Sequence, residues 1–153
     1  MSAVLVSLIA VAGTLLGSLS TYLFQRWTAL HAEAVARNER LRQDRLAACG
    51  TFAAAVTDVK RAVITAWFRR DVHDDEWRAA MTEADRFGAA AEGAHVRMLL
   101  LTDDADLRRL ADAVSAQIAV LRAAADKTEL EAYEVDFAAA RDAFIGAARR
   151  TIA

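Results

Sequence analysis

The sequence predicts an all-α protein, and three features of its composition lead to that fold class. The 153 residues include no proline and six glycines, alanine is the most frequent residue, and only 7% of the residues are aromatic. Alanine is the strongest helix former and proline the weakest, so this composition favours helices. A sheet or barrel would need β-branched runs bounded by glycine and proline turns, and the sequence has almost none. The length suits one main domain.

The first element is an uncharged segment that predicts a transmembrane helix. Residues 2–24 read SAVLVSLIAVAGTLLGSLSTYLF. As a helix this segment would extend roughly 34 Å, which is enough to cross a hydrocarbon core of about 30 Å. A cleaved secretory signal is the rival interpretation, but such a signal begins with basic residues and none precedes Arg26. We therefore expect residues 1–25 to be an uncleaved membrane anchor.

Basic residues after this segment predict its orientation. Five arginines lie within about twenty residues of its end: Arg26, Arg37, Arg40, Arg42 and Arg45. Basic flanks stay on the cytoplasmic side, so we expect a single-pass protein of the bacterial inner membrane with its N-terminus outside and its C-terminal domain in the cytoplasm. Acidic residues interleave with these arginines. For that reason no nucleic-acid partner is predicted. Anionic lipid is the expected neighbour, because the span would hold these arginines close to the membrane surface.

A small-residue motif within the predicted span indicates self-association. Gly13 and Gly17 form a GxxxG motif, and Thr21 extends the same helix face by one turn. Such a face allows two helix backbones to approach closely, which predicts a homo-oligomer with Gly13, Gly17 and Thr21 at its interface. A chance occurrence is the alternative, because glycine is common in membrane helices.

The rest of the chain predicts a stalk and a bundle. Residues 26–45 form a basic juxtamembrane helical stalk, because charged residues occupy most faces of that helix. Residues 46–153 form a four-helix bundle. Its first helix carries an apolar stripe at spacings of mostly three and four residues: Leu46, Phe52, Val56, Val59, Val63 and Trp67.

The other three helices follow from the same period and from polar breaks between them. They are predicted at about 75–101, 104–125 and 129–150. Because the connections are short, neighbouring helices are expected to be antiparallel, so the N-terminal transmembrane helix runs into a long helix of an antiparallel four-helix bundle.

Acidic and hydroxyl side chains at the breaks predict helix caps. The stretch 71–76, DVHDDE, is expected to cap the second helix rather than to bind a metal, and Asp103 and Asp104 are cap candidates for the third. Thr128 and Glu131 fit a capping box for the fourth, in which a hydroxyl and a carboxylate satisfy free amides.

The candidates for chemistry are few. Glu92 and His95 have the E-x-x-H spacing of dinuclear metal bundles, but such sites use that motif twice, so His95 is expected at the edge of the core with Glu92 in solvent. Cys49 lies among alanines and is expected to be a small buried residue. No phosphate loop, nucleophile elbow or Cys/His metal spacing occurs. We expect no enzymatic activity and no cofactor.

Several segments carry a resemblance to known proteins. They are LSTYLFQRW, RNERLRQDRLAA, HVRMLLLTDDADLRRLADAV and YEVDFAAARDAFIGAARRTIA. In these segments and their order the chain resembles a loose group of small actinobacterial membrane proteins of uncharacterised function. The resemblance implies one N-terminal span, an arginine-rich juxtamembrane helix and a helical domain, and it carries no catalytic residues.

Two functions are compatible with these features. The first is a non-enzymatic, membrane-anchored interaction or scaffold protein that self-associates and binds an unidentified protein partner. The alternative is a membrane-perturbing effector or pore-forming oligomer assembled through the N-terminal helix. The predicted span has few polar residues to line a wide aqueous pore, which favours the scaffold.

Overall fold

The computed structural model describes the backbone of residues 2–152, and side chains at 17, 20–22, 24–27, 32–33 and 35–151. The described backbone contains four helices and no strand: α1 (Ser2–Arg69), α2 (Asp74–Leu101), α3 (Ala105–Arg122) and α4 (Lys127–Ile152). The predicted all-α class is confirmed.

The chain divides into two compact units, Met1–Leu41 and Arg42–Ala153, which we call unit 1 and unit 2. Helix α1 contributes residues to both. Among the described residues, no helix combines the length and the apolar character that a membrane crossing requires. Most of the predicted span, residues 2–24, lies outside the residues whose side chains are described.

In unit 2, α1 packs antiparallel to both α2 and α4. The Arg45 side chain donates from Nε to the Leu101 carbonyl oxygen at 2.8 Å, which joins α1 to the end of α2. Further along α1, the Phe52 ring contacts His95 of α2 and Phe144 of α4, with ring centroids 5.1 and 5.2 Å apart. As the residue numbers of the contacts increase along α1, the residue numbers of their partners on α2 decrease. The same holds for α4, because the next contact along α1 joins Lys60 to Glu134 at 2.7 Å.

Helix α3 completes the bundle beside α2 and α4. Arg122 at the end of α3 pairs with Asp85 of α2 at 2.9 Å, whereas Asp112 lies opposite His95, closer to the end of α2. The order of these contacts makes α2 and α3 antiparallel. Helix α3 also packs along α4. Each helix therefore has two neighbours, and the apolar faces of all four helices meet in one core.

The core confirms most of the predicted stripe on α1 and corrects its beginning. Phe52, Val56, Val59 and Val63 are buried, but Leu46 is 55% exposed. The inward positions before Phe52 are taken by the small residues Ala48 and Cys49, four and three residues earlier. Leu46 lies six residues before Phe52, which turns it away from that face.

The helix caps are partly as predicted. Asp104 precedes α3 and accepts a hydrogen bond from the Leu107 amide at 3.0 Å, as expected. His73 precedes α2 without a side-chain cap, so the expected capping of α2 is wrong. Asp74, Asp75 and Glu76 instead occupy the first turn of α2, where the helix dipole favours negative charge.

The cap of α4 is shifted from Thr128 to Asp126. Asp126 accepts from the Glu129 amide at 2.9 Å, and the Glu129 carboxylate accepts from the Ala125 amide at 2.9 Å. Helix α4 therefore begins at Lys127, and Thr128 lies inside its first turn. The predicted pair of Thr128 and Glu131 is therefore wrong: Asp126 and Glu129 cap the helix instead, and the Glu129 carboxylate binds the amide of Ala125, which precedes the cap residue.

The assignment of Asp126 as the cap of α4 can be tested by substitution. Asp126→Ala should lower the free energy of unfolding by about 1 kcal/mol, because it leaves a free amide at the helix start. Thr128→Ala, the matched control, should change it by less than about 0.5 kcal/mol. Urea unfolding of the detergent-solubilised protein, followed by circular dichroism, measures both. Equal losses for the two variants would contradict the assignment of the cap.

Candidate interaction surfaces

The predicted oligomer motif is only partly within the described residues. The Thr21 hydroxyl donates to the Gly17 carbonyl oxygen of the preceding turn at 2.9 Å. Among the described residues, and apart from the backbone of its own helix, no atom lies within 4 Å of a Cβ added at Gly17. The surroundings of Gly13 lie outside the described side chains. The interface of Gly13, Gly17 and Thr21 stays a prediction.

The predicted lipid-proximal arginines divide between the two units. All five have exposed side chains: Arg26, Arg37, Arg40, Arg42 and Arg45. The first three belong to unit 1 and the last two to unit 2. Arg45 differs from the sequence interpretation because its guanidinium binds the Leu101 carbonyl at the end of α2. It therefore has a structural role in the bundle, and a carbonyl left free at a helix end gains a donor.

At the same end of the bundle, Asp104 joins α3 to α4. Its carboxylate accepts from the Thr151 hydroxyl at 2.7 Å and from the Leu107 amide at 3.0 Å. These two hydrogen bonds hold the pKa of the Asp104 carboxyl below its usual range, and the bond from Thr151 has the larger effect. The carboxylate form is therefore favoured in the folded state.

This pKa direction predicts how stability depends on pH. A lowered folded-state pKa contributes stability that is present above the unfolded-state pKa, about 3.9, and is lost as pH falls through the folded-state value. Asp104→Asn should therefore destabilise the protein at pH 7 and make the loss of stability below about pH 4 less steep. Urea unfolding across this acid range and at neutral pH measures this. If stability falls equally steeply with pH in Asp104→Asn and in the wild type, the lowered pKa assigned to Asp104 would be contradicted.

At the opposite end of the bundle lies a cleft of about 420 Å³ that the sequence interpretation missed. It lies between the end of α1, the start of α2 and the end of α3, and its lining includes Trp67, Arg70, Trp77, Met81 and Arg122. The available sequence signal was the pair of tryptophans that flank the α1–α2 turn. The periodicity placed both among the apolar repeats of their helices.

The polar groups of this cleft form structural contacts. Trp67 donates from Nε1 to the Ala124 carbonyl oxygen at 2.8 Å. The Arg70 guanidinium lies 4.0 Å from the centre of the Trp67 ring, and it donates to Ala124 at 3.1 Å and to Ala125 at 2.8 Å. The end of α1 therefore binds the α3–α4 turn through a stacked Trp–Arg pair.

The E-x-x-H motif is placed as the sequence predicted. His95 lies at the core edge, where its ring packs on Phe52, and Glu92 is exposed. His95 Nε2 is 3.4 Å from an Asp112 carboxylate oxygen, but the geometry is not that of a hydrogen bond. Within the described residues, no three His, Cys, Asp or Glu side chains are grouped to hold a metal ion.

Cys49 is buried, as predicted, and its surroundings account for its chemistry. It lies in the core beside Ala48 and Phe52. Burial raises the pKa of the Cys49 thiol, since the thiolate would lose its hydration. The thiol form is therefore favoured, and Cys49 has the character of a small core residue.

Together these features define the class of protein. Unit 2 is an antiparallel bundle of amphipathic helices in which polar side chains cap helices and join neighbours. A comparison with known families identifies the family to which the chain belongs. The family model described as KilB plasmid transfer protein matches residues 46–152, more than half of the chain, and the chain belongs to that family. No curated protein and no solved structure matches the chain.

Proposed function

We propose that this protein is a membrane-anchored, non-enzymatic helical scaffold of a plasmid transfer system. The observation that carries the proposal is the match of residues 46–152 to the KilB plasmid transfer family. The matched residues fall within unit 2, so the resemblance to the family lies in the bundle. The bundle then supplies contacts to itself and to another protein of the transfer machinery.

The anchor is proposed from the sequence. Residues 2–24 contain no charged side chain and are long enough, as a helix, to cross the hydrocarbon core. Five arginines follow this segment within about twenty residues, which supports an N-terminus outside and a C-terminal bundle in the cytoplasm of a bacterial cell. An anchor of this kind concentrates the bundle at the inner membrane, which transferred DNA must cross.

The scaffold role is supported by what the polar side chains of the bundle bind. Arg45 and Arg70 bind carbonyl groups at helix ends and turns, and Arg122 pairs with Asp85. Asp104 caps α3 and holds Thr151. These contacts stabilise the helices against one another, and the outer faces of the helices are left for partners. Self-association through Gly13, Gly17 and Thr21 is part of this proposal.

Deleting the gene from a transferable plasmid tests the proposal. We expect transfer between donor and recipient cells to fall at least tenfold, with plasmid copy number in the donor unchanged, and to recover when the whole chain is supplied. Unchanged transfer would reject the role. A copy-number loss that accounts for the fall would place the protein in replication instead.

Two further measurements separate the parts of the proposal. A C-terminal alkaline phosphatase fusion should be inactive and a C-terminal fluorescent fusion should be bright, because the C-terminus is placed in the cytoplasm; the reverse pattern would reject the orientation. Liposomes carrying the purified protein should retain a trapped dye. Leakage that grows with protein density would favour the alternative of a membrane-perturbing or pore-forming oligomer.

A further inference from the structure

The outer face of α2 carries apolar side chains that the single chain does not cover. Leu100 is 81% exposed, the highest value among the large hydrophobic side chains described, and Val96 is 48% exposed. Ala89 and Gly93 are exposed on the preceding turns. Apart from the backbone of α2 itself, no described atom lies within 4 Å of a Cβ added at Gly93, so the described surface beside Gly93 is open. We call these four residues, Ala89, Gly93, Val96 and Leu100, the α2 seam.

The spacing of the α2 seam is that of a helix pairing with another helix. Its members follow one another at intervals of four, three and four residues. This alternation is the heptad pattern by which two helices pack knobs into holes along a shared line. A single exposed leucine is ordinary on a protein surface, whereas apolar and small residues continued over three turns on one line indicate a contact surface.

The charges beside the seam fit a second copy of the same chain. Glu92 lies on one side of the seam and Arg97 on the other, and both are exposed. Neither belongs to an ion pair within the described part of the chain. In a parallel pair of helices, a residue on one flank faces the residue five positions later on the opposite flank of the partner helix. Glu92 of each copy then faces Arg97 of the other copy, and the two-fold symmetry makes this pair twice.

The parallel direction is favoured over the antiparallel one by these same flanks. In an antiparallel pair, the flank that carries Glu92 faces the equivalent flank of the other copy, and the flank that carries Arg97 does likewise. The opposite charges would then lie on different sides of the interface, and no attraction between Glu92 and Arg97 would form. In a parallel pair, Val96 and Leu100 also each pack on the equivalent residue of the other copy.

We propose that the α2 seam is a self-association surface on which two copies of this chain pack their α2 helices in parallel. This inference rests on the self-association proposed above and adds a second interface, in the bundle, to the one proposed in the membrane. Two contacts along one chain would make each of them effective at a lower protein concentration, because the first contact holds the second pair of surfaces close together.

Cysteine crosslinking of the full-length chain in membranes tests the seam. In a Cys49→Ala background, Leu100→Cys places one thiol on the seam, and Val135→Cys places one on a site of α4 that is 68% exposed. With copper phenanthroline as oxidant, we expect at least fivefold more disulfide-linked dimer for Leu100→Cys. In an antiparallel pair centred on the seam, the two copies of residue 100 would be roughly 16 Å apart along the helices, which is beyond disulfide reach. Equal crosslinking of the two variants overturns the proposal.

Charge exchange tests the pairing of Glu92 with Arg97. Glu92→Arg and Arg97→Glu, each combined with Leu100→Cys, should reduce the linked dimer at least threefold by placing like charges together. The combined Glu92→Arg/Arg97→Glu variant should restore it, because the pair is then reversed. Failure of the combined variant to recover while both single variants stay folded by circular dichroism overturns the assigned parallel register.

Light scattering of the wild type in detergent distinguishes failure of the seam from failure of self-association. An oligomeric wild type whose Leu100→Cys variant links no better than Val135→Cys overturns the seam and leaves the membrane interface standing. A monomeric wild type overturns both. Linking of Leu100→Cys that persists in the Gly13→Ile/Gly17→Ile variant supports the seam as an interface in its own right.

Discussion

Phe52→Ala should lower the free energy of unfolding by about 3–5 kcal/mol, which is among the largest effects expected of a single substitution in the bundle. Phe52 is fully buried, and its ring contacts both His95 and Phe144. The substitution therefore opens a cavity where α1, α2 and α4 meet, and the packed neighbours can fill it only in part. Urea unfolding of the detergent-solubilised protein, followed by circular dichroism, measures the loss.

The matched control is Phe68→Ala, on the same helix. Phe68 is an exposed aromatic side chain whose ring forms a T-shaped contact with the Trp67 ring. Its removal takes away the same atoms without a cavity, so the loss should stay below about 1 kcal/mol. A loss at Phe52 no larger than the loss at Phe68 would mean that α1 is not part of the core as described.

Gly13→Ile/Gly17→Ile should abolish self-association through the proposed membrane helix. Isoleucine at both positions would separate two facing helices and remove the close backbone contact on which such pairs depend. The segment stays apolar, so insertion should be unaffected. Crosslinking in native membranes, with a cysteine placed in the predicted span, should show at least a tenfold fall in linked dimer.

Two control variants give this result its meaning. Leu15→Ile/Leu19→Ile places two isoleucines on the opposite face of the helix, and it should leave the dimer unchanged. Gly13→Ala/Gly17→Ala keeps the face small, and it should weaken the dimer less than the isoleucine pair does. Equal loss in the Leu15 and Gly13 variants would show that the glycines have no special role.

The helices could be predicted from the sequence because their periodicity is strong. The starts of α2 and α3 fall within one residue of the predicted positions, and the start of α4 within two. The apolar stripe predicted Phe52, Val56 and Val59 correctly, since large apolar residues repeated at the helical period indicate the buried face of a helix.

The incorrect predictions concern a core position that small residues occupy and a helix cap for which two polar residues compete. The stripe places Leu46 in the core because it is large, whereas the smaller Ala48 and Cys49 occupy the inward positions. The capping-box motif assigns the cap of α4 to Thr128, but Asp126 directly precedes the helix and accepts from the Glu129 amide. Sequence spacing alone does not rank two neighbouring cap candidates.

The interaction surfaces needed the structure because they depend on which face each helix turns outward. Among neighbouring alanines of α2, Ala89 and Ala90 are exposed whereas Ala94 is buried. The exposed line on α2 continues from Ala89 to Val96 and Leu100, whose hydrophobic character alone would suggest a core position. Contacts made at a distance in the chain, such as that of Arg45 with Leu101, have no local signal at all.

Plasmid transfer with and without the membrane anchor tests the central claim most directly. Donor cells would carry a plasmid that encodes either the whole chain or residues 42–153 alone, at matched protein levels. Because the proposed scaffold works at the inner membrane, we predict at least a tenfold lower transfer frequency for residues 42–153, with recovery when residues 1–41 are restored. Transfer at the wild-type frequency by residues 42–153 would contradict the proposed membrane-anchored function.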